Sequence, residues 1–311
     1  MASIFKKAKI ALQVFVPQRK KADPKLALTD KEKDLRGKTI LFTGGTDGIG
    51  RCAVEMLCDM GADVVLLARS RAKGEAVIQA VNAKGKGRAT FEICDLSSMD
   101  SVRSCAESIL AKYSKINILV NCAGVNMLGV IKFTADNIET TWAVNYFAPV
   151  LLTRLLQPAI TERIINLTTD TLFIDSIDYG YISTHSDFNT KAPYFDSKLA
   201  LNMFTIELAE ELKHRGITVN AMLPGYIKSN LLRDLKGAAK IMQTMMNIMA
   251  SPTEVGADRI VRLVAAERFG KETGLYMAED KIEPFHPKAL NTESRERIKA
   301  ATDRFLNRWV K

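Results

Sequence analysis

The segment PYFDSK, residues 193–198, places a phenol, Tyr194, four residues ahead of an ammonium, Lys198. The apolar run LALNMF follows directly, so the segment reads as the first turn of a buried helix. Residues four apart on a helix stack on one face. A free tyrosine ionises near ~10, and a neighbouring positive charge favours the phenolate and draws that value down. Such a pair is suited to exchanging a proton with a substrate oxygen. A half-buried tyrosine beside a solvated lysine would show the same spacing, so residues upstream must decide between the two.

They do so at TGGTDGIGR, residues 43–51, where Gly44, Gly48 and Gly50 stand between an apolar run and a helical pattern. Glycines there let the backbone turn sharply and approach a diphosphate, and the following helix N-terminus offers free N–H groups and partial positive charge. A dinucleotide is the ligand this junction suits. An acidic residue roughly 20 positions further on would hold the ribose hydroxyls of NAD. Here the second strand ends Leu67-Ala68-Arg69-Ser70-Arg71, with no carboxylate. A guanidinium at Arg69 matches a 2′-phosphate, which points to NADP(H).

The elements that must position these groups follow from periodicity. KTILFTG, ADVVLLAR, ATFEICD, INILVNCAG, RIINLTT and GITVNAML are short apolar runs that read as buried strands. Between them lie RCAVEMLCDM, SVRSCAESILAKY and a stretch from about Asn137 to Leu156, all helical in pattern. Alternation of this kind predicts βαβ units and an α/β fold: one doubly wound parallel sheet with helices on both faces. We place a single domain at residues 38–311 and a basic arm at residues 1–37.

The chain has 311 residues and net charge +9, with eleven Lys/Arg against four Asp/Glu in residues 1–38. The remainder is close to neutral and lacks interleaved basic and aromatic residues, so no nucleic acid is expected as partner. Five cysteines without CxxC spacing read as reduced thiols inside a cell. Three histidines, far apart and away from those cysteines, give no metal site. In the arm, the uncharged run IALQVFV stops at Pro17, well short of the roughly 20 residues that span a bilayer. As a helix, the arm gathers Ile4, Ala8, Ala11, Leu12 and Phe15 on one side. Three readings stand: residues 1–21 lie on an anionic membrane surface, the arm packs on its own domain or a partner, or, behind both, it is a mitochondrial presequence. The protein is thus expected in the cytoplasm, with or without peripheral membrane contact.

Taken together, the motifs resemble those of the short-chain dehydrogenase/reductase family. TGGTDGIG is similar to its glycine motif, Asn121-Cys122-Ala123-Gly124 to its Asn-Asn-Ala-Gly element, Tyr194 to Lys198 to its Tyr-x-x-x-Lys signature, and Pro224-Gly225 to its Pro-Gly turn. The resemblance implies a Rossmann-type fold and a nicotinamide cofactor. It implies catalytic roles for Tyr194, Lys198 and Asn145, and for Thr169, which stands where the family has serine. It implies cofactor contacts from Gly44, Thr46, Asp47, Gly48, Ile49 and Gly50, and from Arg69, Asp95 and Leu96. Further contacts are implied for Asn121, Ala123, Gly124, Pro224, Gly225, Ile227 and Ser229, besides Tyr194 and Lys198.

Twenty-five positions separate Thr169 from Tyr194, a separation similar to that of the retinol dehydrogenase-like branch. The helix SKLALNMF and the tail TGLYMAEDKIEPFHPKALNTESRER also resemble that branch. The resemblance implies a lipophilic carbonyl or alcohol as substrate (retinoid, steroid or lipid) and a homo-oligomer. Met242, Met245, Met246 and Met249 at helical spacing form either an adaptable lid or plain core. The last helix is expected to bury Ile298, Ala301, Phe305 and Trp309. The alternative function is a catalytically idle NADP-binding scaffold docking through its arm.

Overall fold

The structure, a computed structural model, describes residues 20–127, 130–170, 193–228 and 248–310. The basic arm up to residue 19, most of the insert before Tyr194, Ser229 and Met242 to Met246 lie outside the described residues.

Among the described residues, eight strands form one sheet in the order β3-β2-β1-β4-β5-β6-β7-β8. The six expected strands appear as β1 (Thr39–Thr43), β2 (Asp63–Ala68), β3 (Arg88–Ile93), β4 (Ile116–Asn121), β5 (Ile160–Leu167) and β6 (Thr218–Leu223). β7 (Tyr276–Ala278) extends the parallel array, and β8 (Lys281–Glu283) pairs with it antiparallel. The sheet is therefore mostly, not wholly, parallel. The order reverses between β1 and β4, and open α/β sheets bind ligands at the strand C-termini beside such a switch point.

Alternation along each strand decides which layer a side chain joins. Leu41, Val65, Leu67 and Leu119 enter one apolar cluster, with α3 (Met99–Lys112), α4 (Thr140–Trp142 and Ala148–Leu156) and α5 (Pro193–Leu212). Ile40, Phe42, Val64, Leu66 and Val120 enter the other, with α1 (Gly48–Asp59), α2 (Arg71–Asn82) and α6 (Thr253–Ala265). Here α4 joins Thr140–Trp142 to Ala148–Leu156 through a π-helical turn at Ala143–Phe147. It starts later than the expected Asn137, because Asn137 has φ +63° and cannot continue a right-handed helix. Glu139 caps it instead, accepting from Trp142 N at 3.0 Å.

After α7 (Pro287–Leu290), the last helix, α8 (Thr292–Val310), lies on the domain. Its buried residues are Ile298, Thr302, Leu306 and Trp309, with Ala301 and Phe305 at the margin. The face is rotated from the expected one because Thr302 can be central. Its hydroxyl bonds Ile298 O and the Tyr146 hydroxyl, at 2.7 and 2.9 Å, so both buried hydroxyls are satisfied. Residues 20–37, assigned to the arm by charge, also lie against the domain. Leu35 is buried and its N–H donates to Met60 O at 2.8 Å.

Candidate active site

β1 delivers the chain into the glycine loop. Gly44 has φ +75° and Gly48 φ +52°, conformations that only glycine adopts at low cost. Gly50 is required for a different reason: a Cβ there would lie 2.3 Å from Gly44 O. A Cβ on Gly48 would meet nothing within 4 Å, so the first turn of α1 is open on that side. Asp47 is exposed and caps α1 through Gly48 N at 2.8 Å, while Thr46 and Ile49 are partly buried beside it. The loop fits a diphosphate: close backbone, free helix N–H groups and room above them.

Arg69 stands immediately beyond β2, exposed, ahead of the Ser70 cap of α2. Among the described residues it forms no ion pair, whereas Arg71 pairs with Glu75 at 3.5 Å. Asp95 and Leu96 follow β3, and Asp95 is held by Ser97 N and Ser97 Oγ at 2.9 and 2.7 Å. All these groups lie at strand C-termini, along one edge of the sheet.

The loop after β4 closes against the glycine loop. Thr43 Oγ1 accepts from Cys122 N at 3.0 Å and Ala123 N at 3.1 Å, and a Cβ on Gly44 would lie 2.7 Å from Ala123 Cα. Thr43 is not among the residues expected at the site from sequence; its place just before the first glycine is the signal that marks it. Asn121 turns its side chain inward: its Nδ2 donates to Asn166 Oδ1 at 2.9 Å and Thr153 Oγ1 at 3.2 Å. It ties β4 to β5 and α4.

Gly124 brings that loop to the opening pair. A Cβ built on it would stand 3.5 Å from both Asn145 Oδ1 and Lys198 Nζ. The π-helical turn carries Asn145, fully buried, which grips Val125 through both backbone groups at 2.9 Å. Asn145 Nδ2 also reaches Ser197 Oγ at 3.3 Å, and Ser197 Oγ donates to Tyr194 O at 2.9 Å. Lys198 is 3% exposed and donates to Leu167 O at 2.7 Å.

Burial draws the Lys198 ammonium down to about 8, opposed by the nearby Cys122. Burial also raises the half-buried Tyr194 phenol, and a hydrogen bond with Thr169 works against that rise. Thr169 is thus the threonine that meets the tyrosine. Thr168 is buried, its hydroxyl has no partner among the described residues, and its N–H donates to Met222 O at 2.7 Å. In this geometry the ammonium faces the end of β5 and is not among the groups that shift the phenol.

The depressed Lys198 value has a consequence for stability. The unfolded lysine holds its proton up to 10.5, while the native one releases it at about 8. Between those values the unfolded state binds more protons, so stability rises with pH. The difference in unfolding free energy between the unsubstituted protein and Lys198→Met is expected to move toward the unsubstituted protein by up to about 3 kcal/mol across that window. Urea unfolding at several pH values checks this; a flat difference would exclude a depressed lysine.

Beyond β6, Gly225 has φ +86° and Pro224 O accepts from Arg259 Nη1 at 2.6 Å. Ile227 is buried and forms a bridge with Ser251. A phenol, a hydroxyl, a buried ammonium and a glycine loop thus meet at the strand C-termini of one mostly parallel sheet.

A family profile described as short chain dehydrogenase matches residues 38–240. The chain belongs to the short-chain dehydrogenase family. Within it, the chain lies in the retinol dehydrogenase-like branch. It is 32% identical over 269 residues to retinol dehydrogenase 12 of Bos taurus, covering 85% of this chain and 84% of that one. It is 31% identical to human retinol dehydrogenase 13, covering 87% and 85%. Among solved structures, a short-chain dehydrogenase/reductase of Serratia marcescens is 27% identical with TM-score 0.63, covering 78% of this chain and 96% of that one. A blue fluorescent protein from a metagenomic library, crystallised with NADPH, is also 27% identical with TM-score 0.63, covering 79% and 98%. As a short-chain dehydrogenase, the protein is an oxidoreductase working between an alcohol and a carbonyl. Among the described residues, no helix is long and apolar enough to cross a membrane.

Proposed function

We propose that the protein interconverts a lipophilic carbonyl compound and its alcohol with NADP(H). The meeting of Thr169, Tyr194, Lys198 and Asn145 beside the glycine loop carries this reading. A nicotinamide cofactor, its diphosphate held by the glycine loop, would supply or take up the hydride. In the reducing direction Tyr194 gives its proton to the substrate oxygen. Burial raises the phenol and the hydrogen bond with Thr169 opposes that rise. Thr169 donates to the same oxygen and stabilises charge developing there. Lys198 and Asn145 are assigned to cofactor ribose contact and the proton relay. Arg69 is assigned to the 2′-phosphate, which favours NADPH over NADH.

The substrate class rests on the branch: relatives at this identity are named retinol dehydrogenases, which supports a retinoid, steroid or lipid carbonyl. The test is cofactor consumption with retinaldehyde, long-chain aldehydes and steroid ketones, run with NADPH and NADH in parallel. Turnover of one class with NADPH is expected. Tight NADPH binding with no turnover on any class would replace this reading with that of an idle scaffold.

For the arm we propose contact with anionic membrane. Residues 1–19 hold four Lys/Arg and no acid. Lys20 must stay in any truncation, because its Nζ donates to Ile248 O and Ala250 O at 2.9 and 2.7 Å. Deleting residues 1–19 is expected to reduce sedimentation with anionic vesicles at unchanged turnover. Undiminished sedimentation would discard the membrane contact.

A further inference from the structure

Helix α6 lies after the stretch matched by the family profile, yet two of its residues bear on both walls of the dinucleotide crevice. The first is Gly256. A Cβ there would stand 3.0 Å from Ile49 Cγ2 on the glycine loop and 3.0 Å from Ile227 Cγ1 beyond the Pro-Gly turn. These two isoleucines belong to segments far apart in sequence, and they close on α6 at the one position without a side chain. Ordinary van der Waals contact would need a few tenths of an ångström more, so a side chain at this point obliges at least one of the two isoleucine side chains to give way.

The second is Arg259, one turn further along the same face. Its side chain is 1% exposed. A buried guanidinium must be hydrogen-bonded on each face, or its desolvation goes uncompensated. Nη1 donates to Pro224 O at 2.6 Å, Nη2 to Asp280 Oδ2 at 2.8 Å and Glu279 Oε2 at 3.1 Å, and Nε to Asp280 Oδ1 at 3.2 Å. Arg262 shares Asp280 and also pairs with Asp258. The two carboxylates come from the two-residue turn between β7 and β8, where Glu279 has φ +57°. Non-glycine residues held in that region are strained and persist where their surroundings over-determine them. Here Glu279 N donates to Leu223 O at 2.8 Å and its carboxylate meets Arg259. Gly225 rests on this assembly: a Cβ there would lie 2.6 Å from Arg259 Nη1 and 2.9 Å from Glu279 Cγ.

We infer that Gly256 and Arg259 are positioning residues that set the width of the cofactor crevice. Gly256 lets the glycine loop and the segment after the Pro-Gly turn approach each other, and Arg259 fixes the carbonyl at which the second wall begins. The inference rests on the dinucleotide reading above and assigns to α6 a part in cofactor affinity.

The split between stability and affinity tests it. In a helix, Gly→Ala ordinarily stabilises, so Gly256→Ala is expected to hold its Tm within about 4 °C. Its Kd for NADPH, from nucleotide fluorescence, should rise about tenfold as the walls part. Arg259→Lys keeps the charge but loses the planar fork, and should raise KM for NADPH about fivefold with kcat at saturating cofactor little changed. Folded variants with unchanged NADPH affinity overturn the inference. Unfolding of both overturns it too, leaving α6 a structural role alone. Unsubstituted protein that binds neither NADPH nor NADH would instead refute the dinucleotide reading itself.

Discussion

Tyr194→Phe is expected to lower kcat/KM by about 10²–10⁴-fold while leaving NADPH binding nearly intact, the range that one general acid contributes. The side chains differ by one hydroxyl, so helix α5 keeps its packing and the ring keeps its T-shaped contact with Phe195, with centroids 5.4 Å apart. What disappears is the proton donor and the partner of Thr169. Direction adds a second signature. Carbonyl reduction needs the protonated phenol and should run well at neutral pH. Alcohol oxidation needs the phenolate and should quicken as pH climbs into the alkaline range. Steady-state kinetics in both directions check this; full turnover by the Phe variant would remove Tyr194 from the mechanism.

Arg69→Glu is expected to change the NADPH to NADH preference in kcat/KM by about 10²-fold or more. A hydrogen bond to a charged group contributes about 1.5–3 kcal/mol, and each ~1.4 kcal/mol is tenfold. The glutamate repels the 2′-phosphate and offers an acceptor to the ribose hydroxyls of NADH. Arg69 is exposed just beyond β2, so folding should be unaffected. Parallel assays with the two cofactors measure the ratio. A ratio unmoved by the substitution would pass the phosphate to other residues and withdraw the preference argued from Arg69.

Both predictions concern residues that the sequence points to directly, and the reason is local. Tyr194 and Lys198 share a helix face by spacing alone. Gly44, Gly48 and Gly50 mark their turn because backbone conformation there depends on the residue itself. Leu41 and Phe42 declare opposite faces of β1 through a period of two. These short-range rules determined the strand–helix alternation, the glycine loop and the pairing of Tyr194 with Lys198.

Other features depend on contacts between distant segments, and no local pattern carries them. Thr168 and Thr169 are chemically alike, and only the approach of α5 to the end of β5 selects Thr169 as the partner of Tyr194. Asn121 belongs to a crevice motif, yet Asn166 and Thr153 draw its amide inward. The π-helical turn that places Asn145 against Val125 leaves no mark in WAVNYF. Thr302 became central to the α8 face because Tyr146 lies opposite its hydroxyl. No local pattern marks Arg259, and its burial follows from two carboxylates and a carbonyl that the segments beyond β6 and β7 bring to it. Which polar group is buried depends on what satisfies it, and that partner is supplied by tertiary structure.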